Sequence, residues 1–281
     1  MVCLLFQSYG SDVIAKELVY CLNSFWQHHR SADYKILIYT DNTTFFNQHL
    51  LDDSIAFRLV SDDEIKEWRG PKDFIHRVKV KVILDAFEKF NPEKLVYLDT
   101  DTFFESSIEK EISRIDHKNT IMHTNEGFLN RPINPIFKKI SKFLKTTPIL
   151  TKGTLKRIPT NIPMWNAGVL GLHCSHKHLV EEVLAMSDFM FDLYQKHVME
   201  QLSFSFVLNQ NTKVSKISDK IYHYWAEKEY FRTKINNWLE GQKLEIGQFH
   251  VVPMRDNIEI PPKKLQEKNF IQNLTAKLKV Y

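Results

Sequence analysis

The sequence predicts an α/β protein: a mixed, mostly parallel sheet with helices on both faces. Two observations predict it. VCLLF (2–6), ILIY (36–39) and LVYL (95–98) are continuously apolar runs of strand length, the pattern of strands buried on both faces. Stretches of helical period separate them, and such alternation is the pattern of a parallel sheet. A chain of 281 residues, 43% hydrophobic and 26% charged, has the proportions of a soluble globular protein and is long enough to bury such a core.

In order, VCLLF opens the sheet. Residues 11–29 carry Ile14, Leu18, Cys21, Leu22 and Phe25 at helical spacing, and Ser11 or Asp12 is placed to cap that helix. KILIYTDN (35–42) is a second strand ending in a turn signal, and AFRLVS (56–61) a third. A helix is expected from Asp73 to Phe90, with Val78, Val82 and Ala86 on one stripe and Val80, Ile83 and Phe87 beside it; Asn91-Pro92 stops it. KLVYLDTD (94–101) is the next strand, IEKEISRI (108–115) a short helix and TIMHTN (120–125) a strand. IFKKISKFLK (136–145) is helical, PMWNAGVLGLH (163–173) is one strand, and 178–197 and 198–210 are two helices. KIYHYWAEKEYF (220–231) is rich in aromatics and ambiguous. One domain over 1–246 and an extension over 247–281 with a basic amphipathic end account for the whole chain.

Composition excludes several classes. No apolar run nears the ~20 residues that span a bilayer. MVCLLFQSYG has no basic leader and no small-residue cleavage site, so it reads as a strand and not a signal peptide. Three scattered cysteines argue against a disulfide framework or zinc knuckle and fit a reducing, cytoplasmic setting. The net charge of +4 conceals an asymmetry: residues 127–180 hold nine basic side chains and no Asp or Glu. Such a segment either meets an anionic partner or is a solvated face. One basic patch without a recognition motif gives no reason to expect nucleic acid as partner.

The chemistry concentrates in LVYLDTDTFF (95–104). Two carboxylates one residue apart follow a buried strand, where ligands of open parallel sheets bind. On an extended backbone, side chains two apart point the same way, so Asp99 and Asp101 are expected to face one point. Like charges so close need a counter-cation or a shared proton. Oxygen ligands select a hard divalent ion, Mg²⁺ or Mn²⁺, which often completes its shell with substrate phosphates. Arg77 and Lys81, four apart on one helix face, either reach those phosphates or are solvated. Tyr9, at the end of the first strand, either stacks on a nucleotide base or packs at the rim.

Three stretches, in this order, resemble the nucleotide-sugar-dependent glycosyltransferases of the GT-A, Rossmann-like fold, family 8 among them. LVYLDTDTFF is similar to their apolar-apolar-D-x-D strand, MWNAGVLGLH (164–173) to the F-N-A-G-V strand and MEQLSFSFVL (199–208) to the D/E-Q helix. His223, in YHYW, is similar to the late histidine of the family's metal site. The likeness runs from residue 1 to about residue 230. It implies a metal-dependent, retaining sugar transferase with a nucleotide-sugar donor, a UDP-sugar foremost, and a glycan, lipid or protein acceptor. It implies Asp101 and His223 as ligands of Mn²⁺ or Mg²⁺, with Asp99 ligating directly or through the ribose. Asn166, Ala167 and Gly168 become donor contacts, and Glu200 or Gln201 lies near the anomeric carbon. Lys228 resembles a diphosphate-contacting lysine, although it follows His223 by five residues where the family has six, and the flanking Gly and Pro are missing.

The resemblance puts the basic segment 127–158 on the acceptor side. IFKKISKFLK gathers Ile136, Ile140, Phe143 and Leu144 near one face with lysines around it, which suits an interfacial helix. A peripheral contact with the inner face of a membrane is the resulting expectation; a basic lid packed on the domain is the alternative.

Two other readings use the same residues. A phosphatase of the haloacid-dehalogenase type would employ Asp99 as nucleophile in D-x-D-x-T/V, but Phe103 stands where Thr or Val belongs, and Asp62-Asp63 lie upstream of the motif. A catalytically inactive relative would bind a sugar nucleotide or a partner without turnover. Dinucleotide and P-loop signatures are absent.

Overall fold

The computed structural model describes residues 1–29, 34–50 and 52–241. The extension expected over 247–281 lies outside the described residues. In chain order the first half runs β1 (Val2–Ser8), α1 (Asp12–His28), β2 (Tyr34–Thr40), α2 (Thr43–His49), β3 (Ile55–Leu59), α3 (Asp62–Arg69), α4 (Arg77–Phe90), β4 (Lys94–Leu98) and β5 (Thr102–Phe104). The second runs α5 (Glu109–Ser113), β6 (Asn119–Met122), β7 (Asn125–Phe128), α6 (Pro135–Thr146), β8 (Ile149–Thr151), β9 (Thr154–Lys156), β10 (Pro163–Trp165) and β11 (Val169–His173). It closes with α7 (Lys177–Leu193), α8 (Met199–Asn211), β12 (Lys213–Lys216), β13 (Ile221–His223) and α9 (Lys228–Gly241).

Seven strands form the central sheet in the order β12-β6-β11-β4-β1-β2-β3. β4, β1, β2 and β3 are parallel, and β11 runs antiparallel between β4 and β6. Alternating side chains of the strands feed two cores. Leu5, Leu37 and Tyr97 pack with α4, α7 and α8 on one face. Leu4, Phe6, Ile38 and Leu98 pack with α1 and α9 on the other. The mixed α/β class expected from the sequence is the class observed. From β1 the chain builds outward through β2 and β3, then returns to β1's other side as β4. This reversal opens a crevice at the carboxyl ends of β1 and β4.

Several boundaries differ from the sequence reading, each for a local reason. β4 stops at Leu98, and Asp99–Asp101 is a bend, closed by the Thr102 hydroxyl donating to the Asp99 carbonyl at 2.8 Å. The strand expected over 163–173 is two strands: β10 pairs with β7, β11 joins the central sheet, and Asn166-Ala167-Gly168 crosses between them. The helix expected from Asp73 begins at Arg77, because Asp73 takes a left-handed φ of 52°. α2 and α3 have no counterpart in the sequence reading; Asn42 and Ser61 cap them by accepting the N–H of Phe45 and Glu64. The ambiguous stretch 220–231 divides into β13 and the start of α9.

The apolar face of α6, expected to lie at an interface, packs inward instead. Ile136, Ile140 and Leu144 are buried in the core, and Phe143 packs on Tyr194. The helix is fixed to the domain by its apolar face. No described helix is long and apolar enough to cross a membrane.

Candidate active site

A short antiparallel pairing brings a late histidine to the aspartates. β5 pairs with β13 so that His223 lies opposite Thr102, and the Tyr224 N–H donates to the Asp101 carbonyl at 3.0 Å. From the other side, the Asp99 N–H donates to the Gly168 carbonyl at 2.8 Å, which prolongs the β4–β11 ladder. Ligand atoms of Asp99, Asp101 and His223 consequently all lie within 4.8 Å of one another. His223 Nε2 is 3.3 Å from Asp101 and 4.0 Å from Asp99.

The crossing segment orients that histidine. Asn166 Nδ2 donates to Glu126 at 2.9 Å, and Asn166 Oδ1 accepts the Gly168 N–H at 2.9 Å, which determines which way the amide points. The same oxygen therefore accepts from His223 Nδ1 at 3.0 Å. Nε2 is left facing the two carboxylates, where it can donate a proton to them or, without that proton, share a cation with them. Holding a ring by its other nitrogen is how proteins orient a ligating histidine. Gly168 makes room for it, since a Cβ there would lie 2.2 Å from the His223 ring. Two carboxylates and an oriented imidazole fit a divalent cation.

Two lysines balance the acids. Lys228, the first residue of α9, places Nζ 2.9 Å from Asp101 Oδ2, close enough for an ion pair although not aligned as a hydrogen bond. Burial pushes the Asp101 pKa up, but His223 and Lys228 outweigh it and hold the carboxyl well below the usual range. Lys79, 5% exposed on α4, lies 3.2 Å from the Asp99 carboxylate, 2.9 Å from the Ala167 carbonyl and 3.5 Å from Glu200. Burial disfavours its charge, yet Asp99 and Glu200 raise its pKa overall. The Tyr97 hydroxyl donates to Asp99 at 2.7 Å. Glu200 is 3% exposed, and burial pushes its pKa up to about 7, with Lys79 opposing and Asp99 reinforcing.

These groups stand where two cavities meet. A cleft of about 810 Å³ opens at the ends of β1 and β4, with Tyr9, Glu17, Lys66, Arg69 and Arg232 in its walls. A smaller cavity of about 170 Å³ adjoins it, with Glu126, Asn166, Ala167, Glu200 and Gln201 on its polar side. Lys79, Asp99, Asp101 and Lys228 line both. Glu126 also accepts from Gln201 Nε2 at 2.8 Å, so one carboxylate ties two polar wall residues together. Glu17, 1% exposed, accepts from Arg232 Nε at 2.9 Å.

Of the residues singled out in the sequence, Asp99, Asp101, Asn166, Ala167, Gly168, Glu200, Gln201, His223 and Lys228 meet here, and Tyr9 lies in the larger cleft. Arg77 and Lys81 do not. Arg77 donates to Asp188 at 2.9 Å and to the Trp68 carbonyl at 2.8 Å, and Lys81 lies near the same Asp188. Lys79, between them, is the helix's cation at the site, and sequence reasoning missed it. Its signal was present: Lys79, Ile83 and Ala86 share one buried stripe, where a lysine requires a buried partner. Glu126 carried no such signal.

No protein-family model and no curated protein matches the sequence. Among solved structures, the apo form of the bifunctional glycosyltransferase WbbM superposes on 77% of this chain, with a TM-score of 0.48 and 12% identity. The match covers 38% of that chain's length.

Proposed function

We propose that the protein is a GT-A glycosyltransferase that moves a sugar from a nucleotide-diphosphate donor, a UDP-sugar foremost, to an acceptor hydroxyl, with retention at the anomeric carbon. One observation carries the reading: Asp99, Asp101 and His223 converge at the junction of a cleft walled by both acidic and basic side chains and a small polar-walled cavity. The cleft suits the nucleotide, with Tyr9 offering a ring to the base and Lys66 and Arg69 offering charge. The small cavity suits the sugar, with Asn166, Glu126 and Gln201 placed to bond its hydroxyls.

Asp99, Asp101 and His223 would hold Mn²⁺ or Mg²⁺, and the imidazole favours Mn²⁺ of the two. Bound there, the ion supplies Lewis-acid stabilisation of a departing diphosphate. The chain's own residues do the rest. Lys228 adds fixed positive charge beside Asp101, where negative charge develops on the leaving group. Tyr97 and Lys79 hold the Asp99 carboxylate in one orientation. Glu200, with Gln201 beside it, is the group that faces the anomeric carbon; as a carboxylate it stabilises the positive charge that develops there. Family 8 resemblance supports retention over inversion.

Incubating the protein with a panel of nucleotide sugars and Mn²⁺, and quantifying the nucleoside diphosphate released, tests this. Release from one donor class is expected, falling about 100-fold in Asp101→Asn, as for loss of one transition-state-stabilising group. A panel in which no donor is bound or cleaved, or a variant equal to the wild type, overturns it.

A further inference from the structure

α6 buries Ile136, Phe137, Ile140 and Leu144 and turns the opposite side outward. Lys138, Lys142 and Lys145 on that side are exposed and fall within about 60° of arc at the helical 100° per residue, with exposed Lys139 at the flank. The β8–β9 hairpin continues this face. It turns at Lys152-Gly153, both with positive φ (48° and 70°), and Lys152, Lys156 and Arg157 are exposed. The Arg157 guanidinium donates to the Lys145 carbonyl, joining the hairpin to the end of α6. No acidic residue occurs between 127 and 180, and none of the ion pairs found among the described residues involves these lysines or Arg157.

Charge is only half of the pattern. Of the seven large hydrophobic side chains exposed among the described residues, three lie in this same segment: Phe128, Ile133 and Leu155, at 43%, 66% and 59% exposure. Lysines for headgroup phosphates and isolated apolar side chains for the acyl boundary are the two components of an interfacial surface. A soluble polyanion would use the first and have no use for the second. Ile133 also lines the small cavity together with Asn134, Ile136 and Phe137, so the start of α6 borders the candidate sugar site.

We propose that the outer face of α6 and the β8–β9 hairpin dock on an anionic lipid bilayer, which presents the small cavity to an acceptor carried in that membrane. The docking stands on the surface alone; the presentation to an acceptor rests on the transferase reading above.

Cosedimentation of the full chain with vesicles of phosphatidylcholine, with and without phosphatidylglycerol, tests the docking. The assay is run in EDTA without donor, so that it is independent of the metal site. Binding to the anionic vesicles is expected to be at least about tenfold tighter and to weaken with salt. The triple variant Lys138→Glu, Lys142→Glu, Lys145→Glu, its fold checked by circular dichroism, is expected to lose about tenfold or more. Leu155→Ser is expected to weaken binding to anionic vesicles without altering the salt dependence. Asp101→Asn is expected to bind vesicles as the wild type does, which separates failure of docking from failure of transfer. Equal binding to both vesicle types overturns the proposal. So does an unchanged triple variant, or an unchanged Leu155→Ser whose vesicle binding heparin abolishes, since that marks a polyanion site.

Discussion

Lys79 Nζ stands 3.2 Å from Asp99 and 3.5 Å from Glu200 in a buried setting, so one cation serves two carboxylates with different tasks. Removing it leaves buried Glu200 without its cation and Asp99 with the Tyr97 hydroxyl as its remaining donor. Lys79→Met is expected to cost about 3–5 kcal/mol, the scale for breaking a buried pair, read as a lower urea midpoint. A midpoint within error of wild type would show that the pair is not buried in solution. Glu200 gives a second prediction. Its pKa in the fold, about 7, is above the ordinary glutamate value, so the folded protein keeps a proton that the unfolded chain releases. The associated stability is present below the ordinary value and is lost as pH rises through about 7. Glu200→Gln is expected to flatten that decline in urea midpoints; an identical slope in the variant would assign it elsewhere. At this scale the aspartates and His223 were legible as a motif, and Lys79 as a polar residue on an apolar stripe. Glu126 was not, because it reaches the site only through the pairing of β7 with β10.

Two short elements assemble the site: β13, which carries His223 to the bend after β4, and the crossing segment Asn166-Ala167-Gly168. The crossing segment's contacts include His223, Lys79, Glu126 and the Asp99 N–H, so its tight Asn-Ala-Gly composition positions the machinery as well as lining the cavity. Gly168→Ala would put a Cβ 2.2 Å from the His223 ring, and the ring must move. Mn²⁺ binding is expected to weaken by about 10–100-fold, measured by calorimetry, as for other losses of ligand orientation. Unchanged affinity would mean that His223 is not a ligand. The split of 163–173 into two strands was hidden in the sequence, because a run of apolar and small residues reads alike in one sheet or two. α6 illustrates a related limit of periodicity. Its 3.6-residue pattern declares an apolar face, and only the tertiary packing declares that the core covers it.

The fold class was legible because parallel strands buried on both faces and helices of regular period each leave a distinct pattern. The place of the site followed from it, since the order of the sheet reverses beside β1, where β4 delivers Asp99 and Asp101. The division into a large cleft and a small cavity was not legible, since α3, β7 and α9 form their walls from distant parts of the chain. That division, with the Asp-Asp-His group at its centre, is the basis for reading the site as one that grips a diphosphate through a cation. Calorimetric titration of UDP into the wild type and Asp101→Asn, in Mn²⁺ and in EDTA, tests this most directly. UDP is predicted to bind the wild type in Mn²⁺, and to bind at least about tenfold more weakly in EDTA or in the variant. Equal affinity in all four titrations would contradict it.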